Sequence, residues 1–191
     1  MKAEAEKLLD RLNDQEQWPG IHSVEYFNKL QSIAKESLGR KTTDGYLASV
    51  LIVHQIAEEL IKILIDDAEF YIQLKLYPYP FKKQVQKNRM FGQIIRDLES
   101  TVWFQNKVYI IENAKALNRI RIKVVHGLAD SGALDPLQSD AEEAWALYSN
   151  LQCMWYGAHM IFHSEFADLL RDESWPPSDV VFMKDDGEIQ T

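Results

Sequence analysis

Cys153 is the sole cysteine of the chain, so no intramolecular disulfide can form and a reducing compartment is the expected home. Glycine is sparse, with 8 in 191 residues, about 4% against the usual ~7%. The 6 prolines fall at a few points, and most of the chain runs long distances without one. A shortage of both turn formers argues against a many-turned β fold. No apolar run approaches the ~20 residues that a bilayer span requires, because charged residues interrupt each one. No membrane partner is therefore expected. Met1 to Asp14 alternates charges with leucines and lacks a secretory h-region, which makes a cytoplasmic location the expectation. The glycines form neither a P-loop nor a dinucleotide fingerprint, and no cofactor is expected.

What the chain does have is helical periodicity. Hydrophobic residues make up 46% and charged residues 26%, the balance of a globular domain able to bury a core. Leu8, Leu9 and Leu12 mark an amphipathic helix over 3–16, which Trp18-Pro19-Gly20 stops. Val24, Phe27, Leu30 and Ile33 mark a second over 23–38, with Gly39 as terminator. Thr43 or Asp44 can cap a third that runs to Leu76 and is apolar around much of its circumference, as a central bundle helix would be. Tyr77-Pro78-Tyr79-Pro80 must end it, since proline disfavours helical geometry in its predecessor. Helices are further expected over 91–99, 106–126 and 141–171, with Gly127 as a stop and 130–140 as a loop. Val180–Met183 could make a small strand, although a loosely held acidic tail is the stronger expectation. The sequence thus predicts an all-α fold, an antiparallel helical bundle over 41–172. Residues 1–40 form an N-terminal helical extension packed on it, and 173–191 an acidic tail. Leu51, Ile56, Leu60, Leu64, Ile111, Leu117 and Val124 are the expected core. The apolar surface of the third helix and of the helix ending at His126 exceeds what one small bundle can cover, so a symmetric homodimer is expected.

The net charge of −8 hides an asymmetry. Between Lys75 and Lys123, eleven Lys/Arg stand against Asp97, Glu99 and Glu112, a net of +8 that leaves −16 for the rest. Such a basic middle can be a polyanion footprint or merely a solvated face balanced by its neighbours. Within it, Tyr77, Tyr79 and Phe81 adjoin Lys82, Lys83, Lys87 and Arg89. Interleaved rings and cations suit single-stranded RNA, although such rings more often pack back onto their own helices.

The segment Leu117-Asn118-Arg119-Ile120-Arg121-Ile122-Lys123-Val124-Val125-His126-Gly127 carries the chemistry. Cleaving RNA through its own 2′-hydroxyl needs proton transfer at two oxygens and a cation beside the phosphorane. Histidine titrates near neutrality and serves either proton role, while arginine offers a permanently charged fork for phosphate oxygens. Arg119 and His126, seven apart, nearly eclipse on a helix; Arg121 and His126 differ by about 140° at ~100° per residue. The bland reading is a basic helix face and a histidine that caps carbonyls. This segment resembles the signature of the HEPN superfamily, helical-bundle proteins that include many prokaryotic toxin and defence ribonucleases. There four to six residues separate an Arg from a His near a helix end, a spacing met by Arg121 with four between and by Arg119 with six. His54, Glu58, Glu59 and Lys62 are similar to the apolar, Glu-then-Lys helix that those proteins carry upstream.

The resemblance implies a metal-independent endoribonuclease acting as a homodimer, with His126, Arg121 and Arg119 as catalytic residues. Lys82, Lys83, Lys87, Arg89 and Lys123 would then bind RNA, His54 and Glu58 would support the pair, and an antitoxin or regulatory protein would be a partner. Family ribonucleases usually place a polar residue straight after the arginine, and here Ile122 or Ile120 stands there. That departure favours a second class, a non-catalytic helical module for pairing, RNA or nucleotide binding, or regulation. Bacterial mannitol-operon repressors, also all-α with a loosely similar helix order, are one version of it.

Three further readings come from the residues alone. His54 and Glu58, at i and i+4, could hydrogen-bond to each other. His159 and His163, also i and i+4, could ligate a metal on one helix face. With neither a Cys partner nor an HExxH pattern, no metal is expected there. Cys153, between Gln152 and Met154, reads as a buried filler.

Overall fold

The computed structural model describes residues 2–79, 81, 89–127, 135–177, 182–183 and 189–190. The described residues form an all-α fold, with six helices and one short ribbon among them. Helix α1 spans Lys2–Asn13 and is followed by a 3-10 turn at Gln15–Gln17; α2 spans Val24–Gly39, α3 Thr43–Lys75 and α4 Phe91–Ser100. Helix α5 spans Lys107–Gly127 and α6 Asp135–Arg171, and β1 (Phe182–Met183) pairs antiparallel with β2 (Ile189–Gln190). Val180, where a strand was expected to begin, lies outside the described residues.

Local chemistry sets the boundaries. Ser23 Oγ accepts from Tyr26 N at 3.3 Å to start α2. For α3 the cap is Thr42, whose Oγ1 accepts from Gly45 N at 3.3 Å, and not Thr43 or Asp44, which already lie inside the first turn. The chain reverses between α2 and α3 with Lys41 at φ 55°, so the left-handed step falls there and not on Gly39. Gly45 sits at the closest approach of the two helices: a Cβ there would lie 2.4 Å from Ser37 O. Helix α6 begins about six residues before the expected position. Pro136 occupies its first turn, where a missing N–H costs nothing, and buried Leu137, Ala141 and Ala144 extend its apolar face backwards.

Side-chain pairings fix the helix directions. Asp67 meets His159, Phe70 meets Phe166 and Lys75 meets Glu165, so the two longest helices, α3 and α6, run parallel as a central pair. Helix α2 returns antiparallel to α3 across the short turn and links to α6 through Gln31 and Gln152. Helix α5 runs antiparallel to α6, as Phe104–Phe162 near one end and Lys123–Asp140 near the other show. The core centres on Ile56, Leu60, Leu64, Phe70, Leu117, Tyr148 and Phe166, each 2% exposed or less, with Ile111 and Val124 also buried. Leu51 departs from expectation: Val50 and Val53 take the inward positions of that turn, and Leu51 faces out at 39% exposure. Cys153 is exposed for the same reason, since Leu151, Trp155 and Ala158 hold the inner face of α6. No described helix is long and apolar enough to cross a membrane.

Candidate functional site

Helix α5 places the Arg–His segment. Its inner face, Ile110, Ala114, Leu117, Ile120 and Val124, is buried against the bundle. The 3.6-residue period then leaves Arg119, Ile122 and His126 on the opposite, exposed face. Arg119 and His126 are two turns apart on that face, and His126 lies in the last turn. Neither side chain makes an ion pair or hydrogen bond among the described residues.

Arg121 lies about 140° around the helix from His126 at ~100° per residue, is half-buried, and stands near the ring of His54. His54 is buried at the α3–α5 seam. Its Nε2 is 3.3 Å from Asn118 Oδ1, and its ring meets Phe91 edge-on at 4.7 Å. Burial holds the imidazole below its ordinary pKa and Arg121 pushes the same way, against the opposing pull of Asn118 and Glu58. His54 and Glu58 do not bond to each other. Asn118 takes the histidine, and Glu58 pairs with Lys62 at 2.9 Å. The structure therefore gathers His54, Glu58, Asn118 and Arg121 behind the exposed Arg119–His126 face.

The basic footprint is smaller than composition suggests. Lys82, Lys83 and Lys87 lie outside the described residues. Arg89 pairs with Asp97, Lys115 with Glu99, and Lys123 Nζ with Asp140 at 2.7 Å. Lys107 is buried and donates to the carbonyls of Glu99, Thr101 and Val102. Composition counts charges but does not see local acids and carbonyls that engage them. Of the aromatic trio, Tyr77 packs on Trp175 at 5.4 Å, whereas Tyr79 is exposed.

A second cluster lies further along the central pair. Asp67, fully buried in α3, places Oδ2 2.7 Å from His159 Nδ1 and Oδ1 3.7 Å from His163 Nε2. His163 Nε2 is also 2.9 Å from the carbonyl of Pro19. Trp155 stacks on His159 at 4.7 Å, and Trp18, whose indole donates to Leu12 O, stands edge-on to His163. Burial drives the Asp67 carboxyl up to about 6 despite His159, and burial followed by the His159 charge holds His163 down. The histidines were legible at i and i+4. Asp67 was not, because it is 92 positions away from His159 and sits in an otherwise apolar helix. The sole local hint was an Asp66-Asp67 pair interrupting a core helix.

In comparisons with protein-family models, curated proteins and solved structures, nothing matches this chain.

Proposed function

We propose that the protein is a HEPN-like homodimer that cleaves single-stranded RNA without a metal, through His126 and the arginines of α5. The observation that carries this reading is the shared exposed face of Arg119 and His126 at the end of α5. Arg119 is the better phosphate contact, since it shares that face; Arg121, half-buried beside His54, is a positioning residue in this reading. One histidine cannot be base and acid in a single step, so the reading needs the second subunit to supply the other imidazole. Exposed Ile122 and Val125, one turn apart beside His126, give the end of α5 an apolar patch suited to such pairing.

The experiment is cleavage of single-stranded RNA by the purified dimer in EDTA, read by the ends produced. Cyclic-phosphate or 3′-phosphate ends are expected. His126→Ala should lower the rate ~10²–10⁴-fold without unfolding the bundle. Arg119→Ala should cost more activity than Arg121→Ala. A 22.2 kDa particle in light scattering, or no cleavage by wild type and His126→Ala alike, would refute the ribonuclease.

The second reading is a non-catalytic module for RNA or protein pairing, a form of which would be a mannitol-repressor-like regulator. It is favoured by Ile122, which lies 42% exposed between Arg119 and His126. An apolar residue there suits a docked partner better than a phosphate.

A further inference from the structure

We propose that Asp67, His159 and His163 bind one zinc-class divalent transition metal ion, which ties α3 and α6 to the turn at Pro19. Two imidazoles and a carboxylate offer ligand atoms that all lie within 4.8 Å of one another. Around an ion with Zn–N and Zn–O bonds of ~2.0–2.2 Å, neighbouring ligand atoms of a tetrahedron stand roughly 3.3–3.5 Å apart. The Asp67–His159 and Asp67–His163 separations, 2.7 and 3.7 Å, bracket that value. The Pro19 carbonyl, 2.9 Å from His163 Nε2, adds an oxygen at the same place.

The independent observation is Asp67 Oδ1. It belongs to a fully buried carboxylate and has no hydrogen-bond partner. A carboxylate oxygen without a donor in a protein interior is costly. The facing groups offset that cost incompletely: Arg11 and His159 favour the charge, whereas Asp66 opposes it. A cation between Oδ1 and the imidazoles removes the deficit. The pair His159 and His163 sits on one face of α6, one turn apart, with side chains 12% and 25% exposed, which leaves an approach from solvent. The rings are held from outside by Trp155 and Trp18, so little ordering is left for the ion to impose.

Ligand chemistry selects the metal. Imidazole nitrogen with carboxylate and carbonyl oxygen suits Zn²⁺ and its neighbours, whereas Mg²⁺ and Ca²⁺ prefer shells of oxygen. Each coordinating nitrogen must present a lone pair, so binding requires neutral rings whose remaining N–H lies on the other nitrogen. The hydrogen bonds His163–Pro19 and His159–Asp67 are then exchanged for bonds to the ion.

The test uses the full chain stripped with EDTA, with Co²⁺ and Zn²⁺ as probes. One Co²⁺ per chain should bind with visible d–d bands, and Zn²⁺ should displace it. Zn²⁺ at about a hundredfold excess over Kd should raise Tm by roughly 5–10 °C, and Mg²⁺ should not. Asp67→Asn keeps the side-chain shape and should lose both signals with an unchanged far-ultraviolet spectrum. His22→Ala, a histidine outside the cluster, should keep both. If Asp67→Asn does not fold, His163→Gln at the more exposed ring gives the same readout. Absence of Co²⁺ bands in wild type, or binding retained in Asp67→Asn or His163→Gln, overturns the proposal.

Discussion

Replacing Lys107 by Met removes one ammonium and keeps its stem. Lys107 opens α5, yet it serves the end of α4: its Nζ donates to Glu99 O at 2.9 Å, Thr101 O at 2.7 Å and Val102 O at 3.3 Å. These carbonyls terminate α4 and the link that follows, where a helix leaves orphan acceptors. Burial holds the amine below its ordinary pKa, with the Glu99 charge opposing. A hydrogen bond from a charged donor contributes about 1.5–3 kcal/mol net. Three to one ammonium do not add, because a single desolvation is shared among them and water can reach the half-exposed Thr101 and Val102 afterwards. The expected loss is about 2–4 kcal/mol, or roughly 5–15 °C in Tm for a chain of this length. Urea unfolding should show a lower midpoint with unchanged slope. Hydrogen exchange should quicken first at the end of α4 and the link to α5. A Lys107→Met protein within ~0.5 kcal/mol of wild type would refute the reasoning and mark the ammonium as a solvated cation.

His54 is held neutral by burial, so its folded pKa lies below the unfolded value. Its contribution is present above the ordinary histidine pKa near 6.5 and is lost as pH falls through that value toward the folded one. The stability difference between wild type and His54→Gln should therefore shrink from pH 7.5 to about pH 5, and a difference that grows would contradict this. Gly45→Ala should cost about 1–3 kcal/mol by overpacking, although the same change in an open helix gains about 1 kcal/mol, because the new Cβ would meet Ser37 O at 2.4 Å. Equal or higher stability by urea unfolding would show that the α2–α3 turn gives way freely.

Helix existence and order were legible because each helix has a 3.6-residue apolar period and each but α4 is followed closely by a Gly or Pro. Boundaries followed where one residue dominates, as Gly127 does at the end of α5. They failed at α6, where Pro136 looked like loop but is compatible with a first helical turn. Leu51 and Cys153 failed for another reason. In a helix apolar on most sides, periodicity does not fix the rotational phase, and only the packing partner decides which residues face inward. Basic residues were legible as charges, but the acids and carbonyls that engage Arg89, Lys107, Lys115 and Lys123 come from tertiary structure or distant sequence. The Arg–His segment was readable because one helix holds it. The Asp67 cluster joins α3 to α6, so a single-helix reading found two of its three members.

The two candidate sites occupy different levels of the bundle, and that separates their chemistries. His54 and Asn118 mark a common level of α3 and α5. His126 is eight residues beyond Asn118, toward the start of α3, and Asp67 is thirteen beyond His54, toward its end. At 1.5 Å per residue the sites lie roughly 30 Å apart along the axis. At that distance no shared proton or metal-bound water can serve both. Asp67→Asn should therefore leave RNA cleavage within about twofold of wild type at a temperature well below its Tm, while abolishing the Zn²⁺-dependent rise in Tm. His126→Ala should do the reverse, with cleavage lost and the Zn²⁺ shift intact. Parallel loss of both properties in either variant would mean that the ion and the Arg–His face act through one cooperative element, and the separation argued from helix geometry would be wrong.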